Sequence, residues 1–369
     1  MRLPGLDLLR AIAIVWVMLF HSFVVGGLGP DWSWLSRYGW MGVDLFFVLS
    51  GFLIGSQVLR PLAAGARLDY REFYLRRAFR ILPAFLLVLL IYVIAPGIRE
   101  VPGIAPAWMF LTFTLNLFID YSHRAAFSHA WSLCVEEHFY LVFPWFAAAV
   151  AGRASWRWVA VLAAMVVLGG IALRGGIWLH NHALDPDMAA RNWFVEDLYF
   201  PTWNRLDGLL AGVLLAAWRT WRPLAWERAQ AYANTALLAG VAVMAWALWL
   251  FRDRVGLLGN TLGWAVLALG MGLLVFAGAA PGGRMKQWLA PLAGWLAAIS
   301  YSLYLVHKAV YHVIQQQFGA WLEGRGVLAF LIYGAAAVAT AAALHYTIER
   351  PGLKLRSRWL TARLATAAA

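Results

Sequence analysis

Long, mostly apolar runs recur along the whole chain, near residues 8–28, 40–58, 81–97, 131–150, 157–176, 206–221, 232–251, 256–279, 291–311 and 327–348. A helix needs about 20 such residues to cross roughly 30 Å of hydrocarbon. The pattern predicts an all-α, polytopic membrane protein of about ten transmembrane helices. Only 13% of residues are charged and 63% are hydrophobic, against about 25% charged in a soluble domain. Residues 104–119 (IAPAWMFLTFTLNLFI) are apolar but short. They read as an interfacial or re-entrant helix, because a further full span would invert everything after them.

The net charge of +12 raises the question of a nucleic-acid partner, and its distribution answers it. With both termini placed in the cytoplasm, 19 of the 30 basic residues fall on the inner side against five acids, while the outer side sums to −3. This is the positive-inside asymmetry of a membrane protein, and no nucleic acid is needed to explain it. The first run reads as a retained span. Arg10 interrupts its apolar segment, and GGLGPDW after it has no small-x-small cleavage pattern. Residues 1–352 are expected to form one membrane domain and 353–369 a basic cytoplasmic tail, with no repeat, low-complexity linker or soluble domain. The single cysteine, Cys134, excludes an intrachain disulfide and a cysteine-based zinc site.

Chemistry is to be sought where polar groups interrupt apolar runs, since ionisable residues in a span are costly and face the bundle interior or a polar cavity. In RAIAIVWVMLFH, Arg10 and His21 are eleven helical steps apart, which returns the chain to within about 20° of its start and separates the Cα atoms by about 16 Å. They share a face. In GVDLFFVLSGFLIG, Asp44 is expected near the outer, water-facing end of the second span, with Ser50 deeper. Gly51 and Gly55 serve either close packing or a substrate channel. In REFYLRRAFRILP, Arg76, Arg77 and Arg80 can converge on one anion, although Glu72 is also placed to pair with Arg76. In HAWSLCVEEHFYLVFP, Ser132, Glu136 and Tyr140 recur at i,i+4 on one face, while Glu137 projects about 100° away. Trp131 stands at the head of the same segment. Tyr301, Tyr304 and His307 fall at three-residue steps in SYSLYLVHK. Glu349 in TIERP has Arg350 beside it as its default ion-pair partner. HNHALDPD (180–187) contains potential ligands, but neither its spacing nor a third ligand set supports a metal site, and none is expected.

Together these segments, with RLDGLLAG (205–212), resemble the acyltransferase-3 family of integral membrane O-acyltransferases, which includes bacterial enzymes that O-acetylate surface polysaccharides, lipopolysaccharide and peptidoglycan. Seven motifs match in family order from residue 5 to about 352. The resemblance implies a cytoplasmic acyl-CoA donor, most commonly acetyl-CoA, with no tightly bound cofactor. It implies a carbohydrate hydroxyl acceptor outside: exopolysaccharide, O-antigen, peptidoglycan or a lipid-linked saccharide. By matching position it implies His21 as the catalytic residue, Arg10 as its motif partner, Arg77 and Arg80 as paired inner arginines, and Glu136 as the acid of the WSL motif. Arg10, Arg76, Arg77 and Arg80 are then expected to hold the donor, and Asp44, Ser50, Trp131, Tyr304 and His307 to contact substrate. His21 would act as base or as acyl carrier, in a bacterial inner membrane, alone or with polysaccharide-assembly proteins. Some relatives carry an added extracytoplasmic domain; this chain reads as a stand-alone transferase. A secondary transporter that exports a glycan or an acylated metabolite also places ionisable residues near the midplane, and a noncatalytic assembly partner would share the membrane fold. The enzyme is favoured because arginines on the donor side and an imidazole further along the same helix serve transfer.

Overall fold

A computed structural model describes residues 3–26, 33–150, 155–281 and 286–368. It is 83% helical, with no strand among the described residues. Within the described residues each of the ten apolar runs is centred on one of ten helices: α1 (Pro4–His21), α2 (Gly42–Ala63), α3 (Tyr70–Ile94), α4 (Trp131–Val150), α5 (Trp156–Leu184), α6 (Leu206–Trp221), α7 (Ala233–Leu250), α8 (Trp264–Gly278), α9 (Lys286–Leu322) and α10 (Gly326–Leu344); the end of the run at 8–28 lies outside the described residues. A further helix, α11 (Arg350–Ala368), follows a π-helical turn at His345–Glu349. Eight described helices are long and apolar enough to cross a membrane. The helix at 206–221 has 16 residues, about 24 Å at 1.5 Å per residue, so it is short of a full span. Residues 104–119 form two short helices, Ala107–Leu111 and Leu115–Phe118, separated by Phe113 in the left-handed region at φ 55°. They cannot span.

Local signals set the helix ends. Pro4 opens α1, where its missing N–H costs no helical bond. Asp69 caps α3 by accepting the Glu72 N–H at 2.9 Å. Gly65 (φ 73°) ends the turn after α2, and Gly324 (φ 71°) allows the tight reversal between α9 and α10.

The second span is central: 78% of its apolar window is buried, against 11% for α5 at the periphery. It presses on α6 backbone to backbone. A Cβ on Gly51 would sit 2.2 Å from the Leu209 carbonyl oxygen, and one on Gly212 2.1 Å from that of Val48. Of the two readings of the α2 glycines, the structure supports close packing, the small-residue contact common between membrane helices. Elsewhere α1 lies along α9.

Two buried ion pairs lock this half of the bundle. Arg174 of α5, fully buried, donates to both Asp207 oxygens (2.8 and 3.3 Å) and to the carbonyls of Asn204 and Asn260 (both 3.0 Å). Arg205 donates to Asp44 at 2.7 Å and lies 3.7 Å over the Trp264 ring. The water-facing position expected for Asp44 is therefore corrected: the residue is 5% exposed, because Arg205 draws the carboxylate into an aromatic surround. In the 180–187 segment, Asp185 accepts the N–H groups of Ala189 and Ala190, and His182 stacks on Trp178. No potential metal-binding cluster occurs among the described residues.

Candidate active site

The bundle encloses a cavity of about 470 Å³ between α1, α2, α3, α4 and α9. Arg77, Arg80 and Gln57 line it at one end, Arg10, Ser50, Glu136 and Tyr140 along its wall, and Ser132 and Tyr304 at the other. The Ser132–Glu136–Tyr140 stripe of α4 faces this space and Glu137 does not line it, as the 3.6-residue repeat requires. Ser50 donates to Glu136 Oε1, and the Tyr140 hydroxyl donates to Ser50 at 3.3 Å. The wall thus carries a connected polar strip through otherwise apolar helices.

At the arginine end, Arg80 pairs with Glu349 at 3.1 Å. Glu349, 1% exposed, also accepts from Ser302 Oγ (2.8 Å) and His345 Nδ1 (2.9 Å). The default Glu349–Arg350 pair is thereby corrected: the π-helical turn rotates the carboxylate inward, a distortion often found at functional sites. Arg77 donates to Gln57 at 3.1 Å and has no carboxylate in ion-pair contact among the described residues. Arg76 turns to Glu72, its Nε at 2.7 Å, and does not line the cavity. Arg10 lies 3.9 Å from Asp7 and faces the cavity.

Beyond Tyr304 three histidine rings gather. The Tyr304 hydroxyl donates to the His129 carbonyl (2.7 Å) and lies 2.6 Å from Ser132 Oγ; its ring is 5.5 Å from that of His129 and 5.9 Å from that of His307. His307 Nε2 lies 2.8 Å from His21 Nδ1. The other nitrogen of His307 lies 2.9 Å from the Tyr304 carbonyl and 3.1 Å from that of Leu303. Carbonyls only accept, so His307 Nδ1 carries a proton, and in the neutral ring Nε2 is the acceptor. His21 Nδ1 then donates, which leaves the lone pair on His21 Nε2. This is the tautomer a general base needs, set without a carboxylate. His129 donates from Nε2 to the Leu305 carbonyl at 3.3 Å, and its Nδ1 has no hydrogen-bond partner.

The residue after His307 anchors the neighbouring loop. Lys308 pairs with Glu100 at 2.7 Å, and Glu100 also accepts the Phe127 N–H and the Tyr92 hydroxyl, both at 3.2 Å. Burial pushes the Glu100 carboxyl up, but the Lys308 ammonium and the Phe127 N–H outweigh it and hold the group below its ordinary range. Phe127 itself is left-handed (φ 57°) and buried in a ring cluster two residues before His129.

Of the residues singled out in the sequence, Arg10, Ser50, Arg77, Arg80, Glu136 and Tyr304 meet in the cavity, and His21 and His307 form a pair just beyond it. Asp44, Arg76 and Trp131 stay outside it. Trp131 is 4% exposed and stacks on Phe200 at 4.9 Å. Sequence reasoning named Glu349 but gave it the wrong partner, because its inward turn depends on a helix irregularity, and it missed His129, whose HAW context gave no periodic signal. It also missed Gln57, two helical turns from Ser50 and on the same face.

A family model described as an acyltransferase domain matches residues 3–346. YrhL of Bacillus subtilis, provisionally named a peptidoglycan O-acetyltransferase, is 28% identical over 331 residues, covering 84% of this chain and 48% of that protein. The O-acetyltransferase OatA of Staphylococcus aureus is 31% identical over 238 residues, covering 61% of this chain and 36% of that protein. The chain thus spans less than half the length of these curated relatives. No solved structure matches.

Proposed function

The chain belongs to the acyltransferase family matched over residues 3–346, and from that premise we propose that it moves an acyl group, most simply acetyl, from cytoplasmic acyl-CoA to a carbohydrate hydroxyl across the membrane. The observation that carries the reading is the order of groups along one cavity. Arginines stand at one end, a polar strip follows, and an imidazole with a free Nε2 lies beyond the other end. The acetyl group and the glycan acceptor follow the names of YrhL and OatA.

CoA presents phosphates, which are costly to bring into hydrocarbon, and a long thin arm that ends in the thioester. Arg77 and Arg80 hold the head, Arg10 stands further along, and Ser50, Glu136 and Tyr140 satisfy the amides of the arm. Tyr304 separates the cavity from the histidines, so its ring swings aside as the arm enters. His21 Nε2 takes the proton of the acceptor hydroxyl while that oxygen attacks the thioester carbonyl. The tetrahedral intermediate collapses, the C–S bond breaks, and the proton passes from His21 to the departing thiolate. The ester and free CoA leave, and the imidazole is neutral again. In the relay variant His21 Nε2 itself attacks the thioester and passes the acyl group on.

Inside-out membrane vesicles supplied with labelled acetyl-CoA test this reading. The wild-type protein is expected to place label on envelope glycan, and His21→Ala to lower that transfer by about 10²–10⁴-fold at equal protein. Equal labelling by the variant would overturn it.

A further inference from the structure

The basic segment after residue 352, read in the sequence as a tail, is the docked helix α11. Its Gly352 packs on α3: a Cβ there would meet Pro83 Cγ at 3.3 Å and the Phe79 carbonyl at 3.5 Å. Seven residues on, Trp359 lies under Arg71, with the guanidinium carbon 5.3 Å from the ring centre. The two contacts fix an antiparallel register, in which 352 faces 79–83 and 359 faces 71. Arg356, one turn after Gly352, therefore comes beside the Arg76–Arg80 turn, and its charge acts on Arg76, Arg77 and Arg80.

Four arginines thus come near one another at the arginine end of the cavity, two of them lining it, with two carboxylates among them, Glu72 on Arg76 and Glu349 on Arg80. Arg77 and Arg356 have no carboxylate in ion-pair contact among the described residues, and the Nε of each is buried without a hydrogen-bond partner. Like charges brought together at a cost and left with buried, unused donors fit an anion that carries several oxygens.

We propose that Arg356 and Arg77 form the phosphate-binding end of the donor site, which takes the phosphorylated nucleotide head of the CoA thioester, so that α11 is part of the site. This rests on the acyl-CoA reading above and adds a residue and an element to it. Arg358, two residues on and exposed, projects elsewhere on the helix and is the matched control.

The test uses the full-length protein in nanodiscs of zwitterionic lipid, with acetyl-CoA as donor and adenosine 3′,5′-bisphosphate as competing probe. Arg356→Gln is expected to raise the donor KM and the inhibition constant of the probe about tenfold, the worth of one charged hydrogen bond at a partly wet site. The kcat should change little, Arg356→Lys should recover part of the loss, and Arg358→Gln should match wild type. A wild-type KM and inhibition constant in Arg356→Gln would overturn the proposal, as would an effect seen only when anionic lipid is added, which would assign the arginine to lipid headgroups. If the wild-type protein neither consumes acetyl-CoA nor binds the probe, the acyl-CoA reading itself fails, and that outcome is distinct from a wild-type-like Arg356→Gln.

Discussion

Buried arginines occur in two parts of this bundle and are built differently. In the half formed by α2, α5 and α6, Arg174 and Arg205 each have an aspartate; every nitrogen of Arg174 finds an aspartate or carbonyl oxygen, while Arg205 lies over the Trp264 ring with its Nε and Nη1 left without a hydrogen-bond partner. At the cavity mouth, Arg77 and Arg356 keep buried Nε donors without a partner. The same side chain therefore does two jobs. Where an aspartate of the chain matches its charge, it fixes the crossing of helices; at the mouth, where Arg77 and Arg356 have no carboxylate in ion-pair contact among the described residues, the proposed donor would supply the complement. Burial alone would not separate the two cases, and neither would the count of charges.

The largest expected effect lies in the half with the aspartate pairs. Asp207→Ala leaves Arg174 as an unpaired charge in a fully buried place, and breaking such a pair costs about 3–5 kcal/mol. The variant should unfold at markedly lower temperature in detergent, and acyl transfer should fall only in proportion to the folded fraction. The double change Arg174→Met with Asp207→Leu should recover part of the stability, although it orphans the carbonyls of Asn204 and Asn260. If the single variant is as stable as wild type, the buried pairs are not what holds this half together, and the contrast with the mouth disappears.

The histidine pair falls between these extremes, with His307 bonded at both nitrogens and His21 at Nδ1. His307→Phe keeps the ring volume and removes the acceptor for His21 Nδ1–H. The imidazole then loses the bond that selects its tautomer and orientation, and the loss of such an orienting partner costs roughly 10–100-fold in activity. The expected signature is a lower kcat with an unchanged donor KM, the reverse of the split expected for Arg356→Gln. A raised donor KM with unchanged kcat would show that His307 belongs with the substrate-holding groups.

What the sequence made legible follows from helical periodicity. The runs located the helices, eight of which among the described residues are long and apolar enough to span; the i,i+4 stripe of α4 gave one cavity wall, and the Arg10–His21 spacing gave a shared face running from the cavity toward the histidines. What stayed hidden depended on contacts between distant segments or on departures from the ideal helix. Asp44 lost its water-facing place to Arg205, 161 residues away. Glu349 left Arg350 for Arg80 through a π turn that no propensity signals. Arg356 lay within a cytoplasmic charge count, where the expected excess of basic residues masks any single one with a specific use.

The smallest expected effect tests the comparison most closely, because it concerns an arginine in the same motif as Arg77 and Arg80. Arg76 is paired with Glu72 at i,i+4, and the two side chains are 43% and 32% exposed. Such a pair is worth about 0.3–0.5 kcal/mol in a helix. Arg76→Gln removes one positive charge from the mouth, as Arg356→Gln does, but takes no unused donor with it. If matched and unmatched arginines differ in function, the donor KM should rise less than about twofold, close to the value of that surface pair. A rise equal to that of Arg356→Gln would mean that the mouth acts as a diffuse positive field, in which total charge matters and the position of each guanidinium does not.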